Sequence, residues 1–384
     1  MGFVGGGSGG LRGADDSTVR QAIAEHDPLP GTAGFAGELD GRLVRDVLGR
    51  QPLFYESFDG DESQTLPPWS FDPTDLTDPV VLPAGHVLDA GAEVAPTSSE
   101  SHQQWSLPAP DPTDDDTALD AVRGAVLESV RDQPSDSLAV AFSGGVDSAI
   151  VAAGVPEAPC YVAGFEDCHD VAAARDAAEA MARDLRVVEF THDDIVRAVP
   201  EIVRATGRTN AMDVQIALPL YFAAEAAAAD GFEHLAVGQG ADELFGGYRK
   251  VVDPASDHRV EADTVRGATR EVVSTLPDQL SRDVLTLRAA GVEPVAPLLH
   301  DRVVEAALSL PATLLATERE RKIALRRAAT GVVPDQIRDA EKKAAQYGTY
   351  AARELDRLAR QAGYKRRMDD HVQRYVESLV AESD

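Results

Sequence analysis

The chain has 384 residues, 43% of them hydrophobic and 26% charged, and 65 acidic against 36 basic residues give it a formal charge of −29. That length allows two or more domains with sizeable cores, and the acidity opposes binding to a nucleic-acid phosphate backbone, because the only lysines are the scattered Lys250, Lys322, Lys342, Lys343 and Lys365. No apolar run approaches the length of a membrane span, and Met1-Gly2-Phe3-Val4 does not open a signal-like segment, so the expectation is a cytoplasmic protein without a membrane partner. Cys160 and Cys168 are too few for a disulfide framework and are not spaced as metal ligands, which leaves them as buried thiols. Acidic residues spread throughout suit a halophilic cytoplasm, where salt screens self-repulsion. Dialysis to low salt is then expected to unfold the protein, and a melting temperature indifferent to KCl would refute this.

Residues 1–112 are rich in Gly, Pro and Asp, with short apolar runs that suit strands better than helices. The stretches 45–55 and 81–88 read as hairpin and strand pieces turning at Gly49 and Pro83. The acidic, Pro-containing run Asp111 to Asp116 marks a boundary between units 1–112 and 113–384. Beyond it Leu119, Val122, Val126, Leu127 and Val130 recur at helical spacing, with Asp115 or Thr117 available as a cap. Strands and helices then alternate: strand 138–142, a helix from 148, strand 161–163, helix 170–184, strand 187–190, a helix from 193, helix 215–229 and strand 234–237. Such alternation predicts a parallel sheet covered on both faces, whose ligands gather at the carboxyl ends of the strands. After residue 245 the pattern reads as wholly helical, with breakers at Pro277, Pro311 and Pro334.

Two loops carry chemistry. The strand ending at Phe142 breaks into Ser143-Gly144-Gly145-Val146-Asp147-Ser148 and then a helix. Backbone N–H groups, the helix dipole and two hydroxyls form an anion cradle. Asp147 beside such a cradle would repel phosphate unless a divalent cation lies between them, which implies a nucleotide bound with Mg2+. The hexapeptide is neither a Walker A loop nor a dinucleotide fingerprint. It resembles the pyrophosphate loop of ATP-pyrophosphatases, which split ATP into AMP and pyrophosphate while adenylating a substrate. The second loop, Gly238-Gln239-Gly240-Ala241-Asp242-Glu243-Leu244-Phe245-Gly246-Gly247-Tyr248, follows strand 234–237. Asp242 could therefore share the cation with Asp147.

Together the two loops resemble the asparagine synthase family over about residues 113–350. The likeness also rests on Gly291-Val292-Glu293, Pro297-Leu298-Leu299, Asp301–Pro311, Lys322-Ile323-Ala324-Leu325-Arg326 and Lys342–Thr349. The resemblance implies a Rossmann-like, adenine nucleotide alpha hydrolase type of α/β sheet with a helical C-terminal part. It also implies adenylation of the aspartate side chain by ATP with Mg2+ at Asp147 and Asp242, followed by attack of ammonia. By the same likeness Lys342, with Lys343 as the alternative, would assist departure of pyrophosphate. Glu293 would orient or deprotonate ammonia, and Phe142, Ala163, Val237 and Gly238 would line the adenine and ribose. Residues 45–55 and 82–86 are similar to the tail half of a class II glutaminase, a small, mainly β domain of the Ntn-hydrolase kind.

The departures are specific. Where the family carries an arginine and an aspartate after the Val-Glu pair, this chain reads Pro294-Val295-Ala296-Pro297-Leu298-Leu299-His300, which leaves the acceptor acid open. His300 reads either as a helix cap or as a ligand-facing replacement. Gly2 stands where the glutaminase exposes its cysteine, and without a thiol no glutamyl thioester forms. Free ammonia or a separate amidotransferase would then supply nitrogen. Alternatives are a ligase of the same fold acting on another acid or amine, of the lactam-forming or tRNA-modifying kind, and a non-catalytic ATP-binding regulator.

Overall fold

A computed structural model describes residues 10–57, 66–90, 101–133, 136–166, 168–340 and 349–383. The front segment begins with a helix the sequence reading did not contain, α1 (Asp16–Glu25), capped by Asp15 accepting from the Thr18 N–H at 2.9 Å. Its surroundings are Gly- and Asp-rich, and one of those aspartates, Asp15, is the cap itself. Strands β1 (Ala36–Leu39) and β2 (Arg42–Arg45) pair through a turn at Asp40 and Gly41, both at positive φ, as a two-residue hairpin requires. With β6 (His86–Asp89) and β7 (His102–Gln103) they form one antiparallel sheet, while β3 (Phe54–Glu56), β4 (Trp69–Ser70) and β5 (Pro79–Val81) form another. The turns expected at Gly49 and Pro83 exist, but neither closes a hairpin: each carries the chain from one sheet to the other.

Buried charge holds that passage. The Arg45 guanidinium donates to the carbonyls of Gln51, Leu82 and Gly49 at 2.9, 2.7 and 2.8 Å. The Asp46 carboxylate accepts from the N–H groups of Phe35, Leu48 and Arg50. A Cβ on Gly49 would sit 2.9 Å from the Arg45 guanidinium, so the tight turn needs glycine there for space as well as for its φ of +61°.

The rear unit opens with α2 (Asp115–Arg131), whose cap is Asp114 rather than Asp115 or Thr117. The alternation follows as expected: β8 (Leu138–Ala141), α3 (Val146–Gly154), β9 (Cys160–Gly164), α4 (His169–Ala180), β10 (Leu185–Glu189), α5 (His192–Thr206), α6 (Ala211–Ala229) and β11 (His234–Ala236). Helices α7 (Ala241–Leu244), α8 (Val265–Ser274) and α9 (Leu276–Ala289) come next, then β12 (Glu293–Val295). The chain ends with α10 (Asp301–Leu308), α11 (Ala312–Leu315), α12 (Ile323–Ala328), α13 (Asp335–Arg338), α14 (Thr349–Gln361) and α15 (His371–Ser383). The region after residue 245 is thus not wholly helical. β12 has three residues and contains Pro294, which lacks an N–H; it is tolerated because β12 is an edge strand. The breakers behave as read, with Pro277 in the first turn of α9 and Pro311 and Pro334 immediately before α11 and α13.

All five strands of the rear sheet are parallel, in the order β10-β9-β8-β11-β12. Period-two alternation sends Leu138, Val140, Cys160 and Val162 into one core and Ala139, Tyr161, Ala163 and Leu235 into the other. Residues of α2, α3 and α4 fill the first core, and those of α5, α6 and α15 the second. Val19, Phe35, Val44 and Trp105 of the front segment belong to the first core as well, so front and rear share apolar packing. Polar contacts extend that seam: Arg50 reaches Asp301 at 2.7 Å, and Thr32 donates its N–H to Asp301 at 2.7 Å. Both cysteines are buried and unpaired with each other. Among the described residues no helix is long and apolar enough to cross a membrane.

Candidate active site

Strand order creates the site. The chain winds outward from β8 through β9 to β10, then returns to place β11 on the other side of β8, so the loops after β8 and β11 leave neighbouring strands at the same edge of the sheet. The crevice between them is where the two Gly-rich loops meet. Gly144, at φ +75°, takes the first loop past the Ala173 carbonyl so closely that a Cβ would lie 2.6 Å from its oxygen. Gly145 then starts α3 with no side chain over the first turn, which leaves N–H groups facing outward at the positive end of the helix dipole. Ser148 ties the loop to itself. Its hydroxyl accepts from the Ser143 N–H at 3.1 Å, stands 3.3 Å from the Ser143 hydroxyl and donates to the Gly145 carbonyl at 3.2 Å.

Asp147, in the first turn of α3, is buried, and Gly238 presses on it: a Cβ there would lie 3.0 Å from the Asp147 backbone. Asp242 enters from α7. The two carboxylates do converge, on the amine of Lys322: Nζ lies 2.7 Å from Asp147 Oδ2 and 2.7 Å from Asp242 Oδ1. Lys322 is buried, directly precedes α12 and holds a left-handed φ of +57°. A bulky residue kept in that conformation inside a charged crevice is a strain the surroundings must impose. Gly247 makes room for it, since a Cβ would meet Asp242 Oδ1 at 2.0 Å and the Lys322 Cε at 2.5 Å. Burial, reinforced by the charge of Asp242, pushes the neighbouring Glu243 carboxyl up; Glu243 accepts from the Tyr248 hydroxyl at 2.5 Å.

The remaining predicted residues divide. Phe142, Ala163 and Val237 lie buried at or beyond the carboxyl ends of β8, β9 and β11, with Gly238 next in line, so the fold gathers them beside the first loop. Glu293 is not brought there. It opens β12 in register with His234 and, across β11, with Leu138, while Ser143 lies five residues farther along, about 16 Å at the usual rise per residue. Its half-exposed carboxylate instead faces Arg288 at 3.0 Å and Arg12 at 3.7 Å, at the junction with the front segment. The Gly-Val-Glu motif is present, the parallel register puts the glutamate at the amino edge of the sheet, and its part in handling ammonia stays a proposal. Lys342 and Lys343 lie outside the described residues, as does Gly2. His300 is a helix cap, its Nδ1 accepting from the Arg302 N–H at 3.3 Å, and burial together with Arg302 holds the imidazole below its ordinary pKa. The altered segment around it touches the site all the same, because Leu299 packs so tightly on Gly240 that a Cβ there would meet it at 2.4 Å.

Lys322 is the functional candidate the sequence reading left without a role. It was visible only inside the Lys-Ile-Ala-Leu-Arg stretch, and no spacing pattern links it to an aspartate 175 residues upstream.

Fold and crevice define an α/β protein with an anion cradle and a cation-bridged carboxylate pair at the carboxyl edge of a parallel sheet. The chain belongs to the asparagine synthase family, whose model matches residues 121–266 and 256–381. A Methanocaldococcus jannaschii protein named for glutamine-hydrolysing asparagine synthetase is 28% identical over 298 residues, 68% of this chain and 54% of the relative. Escherichia coli asparagine synthetase B, named as glutamine-hydrolysing, is 22% identical over 314 residues, 74% of this chain and 54% of its own length. A Dictyostelium discoideum protein of similar name is 24% identical over 218 residues, 51% of this chain and 38% of its own. The chain spans about half the length of the first two relatives.

Proposed function

We propose that the protein is an ATP-dependent, AMP-forming amide ligase of the asparagine synthase type, adenylating aspartate and passing the acyl group to ammonia. The observation that carries this reading is the convergence of Asp147, Asp242 and Lys322 on one point beside the Ser143–Ser148 cradle. A carboxylate lacks a leaving group, and ATP supplies one: the acid's oxygen attacks the α-phosphorus, the bond to the β-phosphate oxygen breaks, and pyrophosphate departs with its electron pair. Attack of ammonia on the mixed anhydride then expels AMP and leaves the amide.

The first loop would receive the departing pyrophosphate through its N–H groups and serine hydroxyls. Lys322, buried and held rigidly, would offset the charge that develops as the bond breaks. The lysine role implied for Lys342 by family likeness remains proposed beside it. Among the described residues no group of three or more His, Cys, Asp and Glu side chains is arranged for a metal ion. Mg2+ does not need one, since it commonly takes one or two carboxylates and completes its shell with phosphate oxygens and water. Asp147 and Asp242, both directed at a single cationic point, fit that demand, and the ion when bound would neutralise phosphate charge.

Nitrogen is proposed to come from free ammonia or a separate amidotransferase. Support for a front segment without glutaminase chemistry is that residues 1–112 contain no cysteine, and so no thiol to form a glutamyl thioester. The acceptor stays a proposal at the level of aspartate, because Leu299 of the altered 294–300 segment packs on the second loop. One assay tests the whole reading: pyrophosphate release from ATP and Mg2+ in high KCl, with and without aspartate, with ammonia or glutamine as donor. Aspartate-dependent pyrophosphate and asparagine formed from ammonia alone are expected. Silence with aspartate despite ATP binding would favour another acid, and glutamate release from glutamine would refute the inactive glutaminase.

A further inference from the structure

The turn Gly238-Gln239-Gly240 carries β11 into the helix that bears Asp242. Its glycines are bare for steric reasons: Gly238 lies against Asp147, and Gly240 adopts φ +88° beneath Leu299. Two glycines in three residues leave the turn with more conformational freedom than an ordinary loop, so its order depends on a tether. Gln239 provides one, donating through Nε2 to Asp283 Oδ2 on α9. Asp283 is only 7% exposed, and its other oxygen accepts from Arg282 Nε at 2.7 Å. Arg282 in turn donates to Asp213 Oδ1 on α6 at 2.9 Å, and Asp213 also accepts from Asn210 at 2.7 Å and Arg208 at 3.0 Å. A polar chain thus runs from the site turn through α9 to the start of α6.

Such a chain is costly to build into helix packing. Burial pushes the Asp283 carboxyl up, with Arg282 and Gln239 opposing the shift. Apolar side chains could join α6 to α9 at least as well, because desolvating an ion pair offsets most of its attraction. What an apolar contact could not do is hold one polar side chain in a fixed direction. We propose that Asp283 is a positioning residue: through Gln239 it sets the Gly238–Gly240 turn, and so the place of Asp242 opposite Asp147 and Lys322. This rests on the reading that Asp242 serves the metal-bound phosphates of ATP.

The test reverses the hydrogen bond in the full-length protein in high KCl. Gln239→Glu alone sets two carboxylates against each other, whereas Gln239→Glu/Asp283→Asn restores a donor facing an acceptor. The single variant is expected to raise the Mg2+ concentration needed for half-maximal ATP binding about tenfold and to speed amide exchange across 238–244. The double variant is expected to return both to within about threefold of the wild type. A double variant as impaired as the single one, or a single variant indistinguishable from wild type, would overturn the proposal. If the wild type bound no ATP with Mg2+, the proposed function would fall, and amide exchange in the same variants would still decide whether Asp283 positions the turn.

Discussion

In Lys322→Ala, pyrophosphate release is expected to fall about 10²–10³-fold, the usual consequence of removing a preorganised charge aimed at a developing anion. The same change removes the amine that stands 2.7 Å from both Asp147 and Asp242. Breaking such a pair costs about 3 kcal/mol, at the low end of the usual range because Asp242 is partly open to water. The two effects separate on adding Mg2+. A divalent ion can take the place of the amine between the carboxylates, so Mg2+ should raise the melting temperature of the variant more than that of the wild type. Lys322→Arg is not expected to rescue activity, since Gly247 leaves barely enough space for the lysine stem. A Lys322→Ala enzyme as fast as wild type would remove the lysine from the reaction.

Arg50→Ala is the second large effect. The Arg50 guanidinium bonds to Asp46 at 2.9 Å, to Asp301 at 2.7 Å and to the Leu299 carbonyl at 2.7 Å, all away from water. Truncation strands two buried carboxylates and is expected to destabilise the protein by about 3–5 kcal/mol, read as a lower urea midpoint. Arg50→Ala/Asp301→Ala should cost less than the sum of the single changes, because the second removes a charge the first left unpaired. Pyrophosphate release by the folded fraction should also drop, since Arg50 holds Leu299 and Leu299 packs on Gly240 beside Asp242. An unchanged midpoint would mean that the front segment merely leans on the rear unit.

The elements legible in the chain were those with a local signature. Strands β8, β9, β10 and β11 are apolar runs bounded by turn residues, and each was placed within a few residues of its observed bounds. The first loop carries its own chemistry in six consecutive residues. Elements lacking such a signature escaped. β12 has three residues and a proline, so nothing local distinguishes it from a loop; it is a strand because β11 offers an edge. α1 was hidden by the Asp15 cap, which in isolation reads as a turn. Glu293 matched a motif, yet motif and register are separate matters, and the register carried it to the amino edge of the sheet.

The sequence by itself determined the class of fold and the two Gly-rich loops that carry Asp147 and Asp242, because alternation of period and glycine-dependent turns act over a few residues. Only the tertiary structure decided that Lys322 stands between those aspartates, that Asp283 reaches Gln239, and that Arg50 joins the front segment to Asp301. Each of these joins charged or polar groups from distant stretches of chain. Burial makes such groups find partners, but which partner is available depends on how sheets and helices pack.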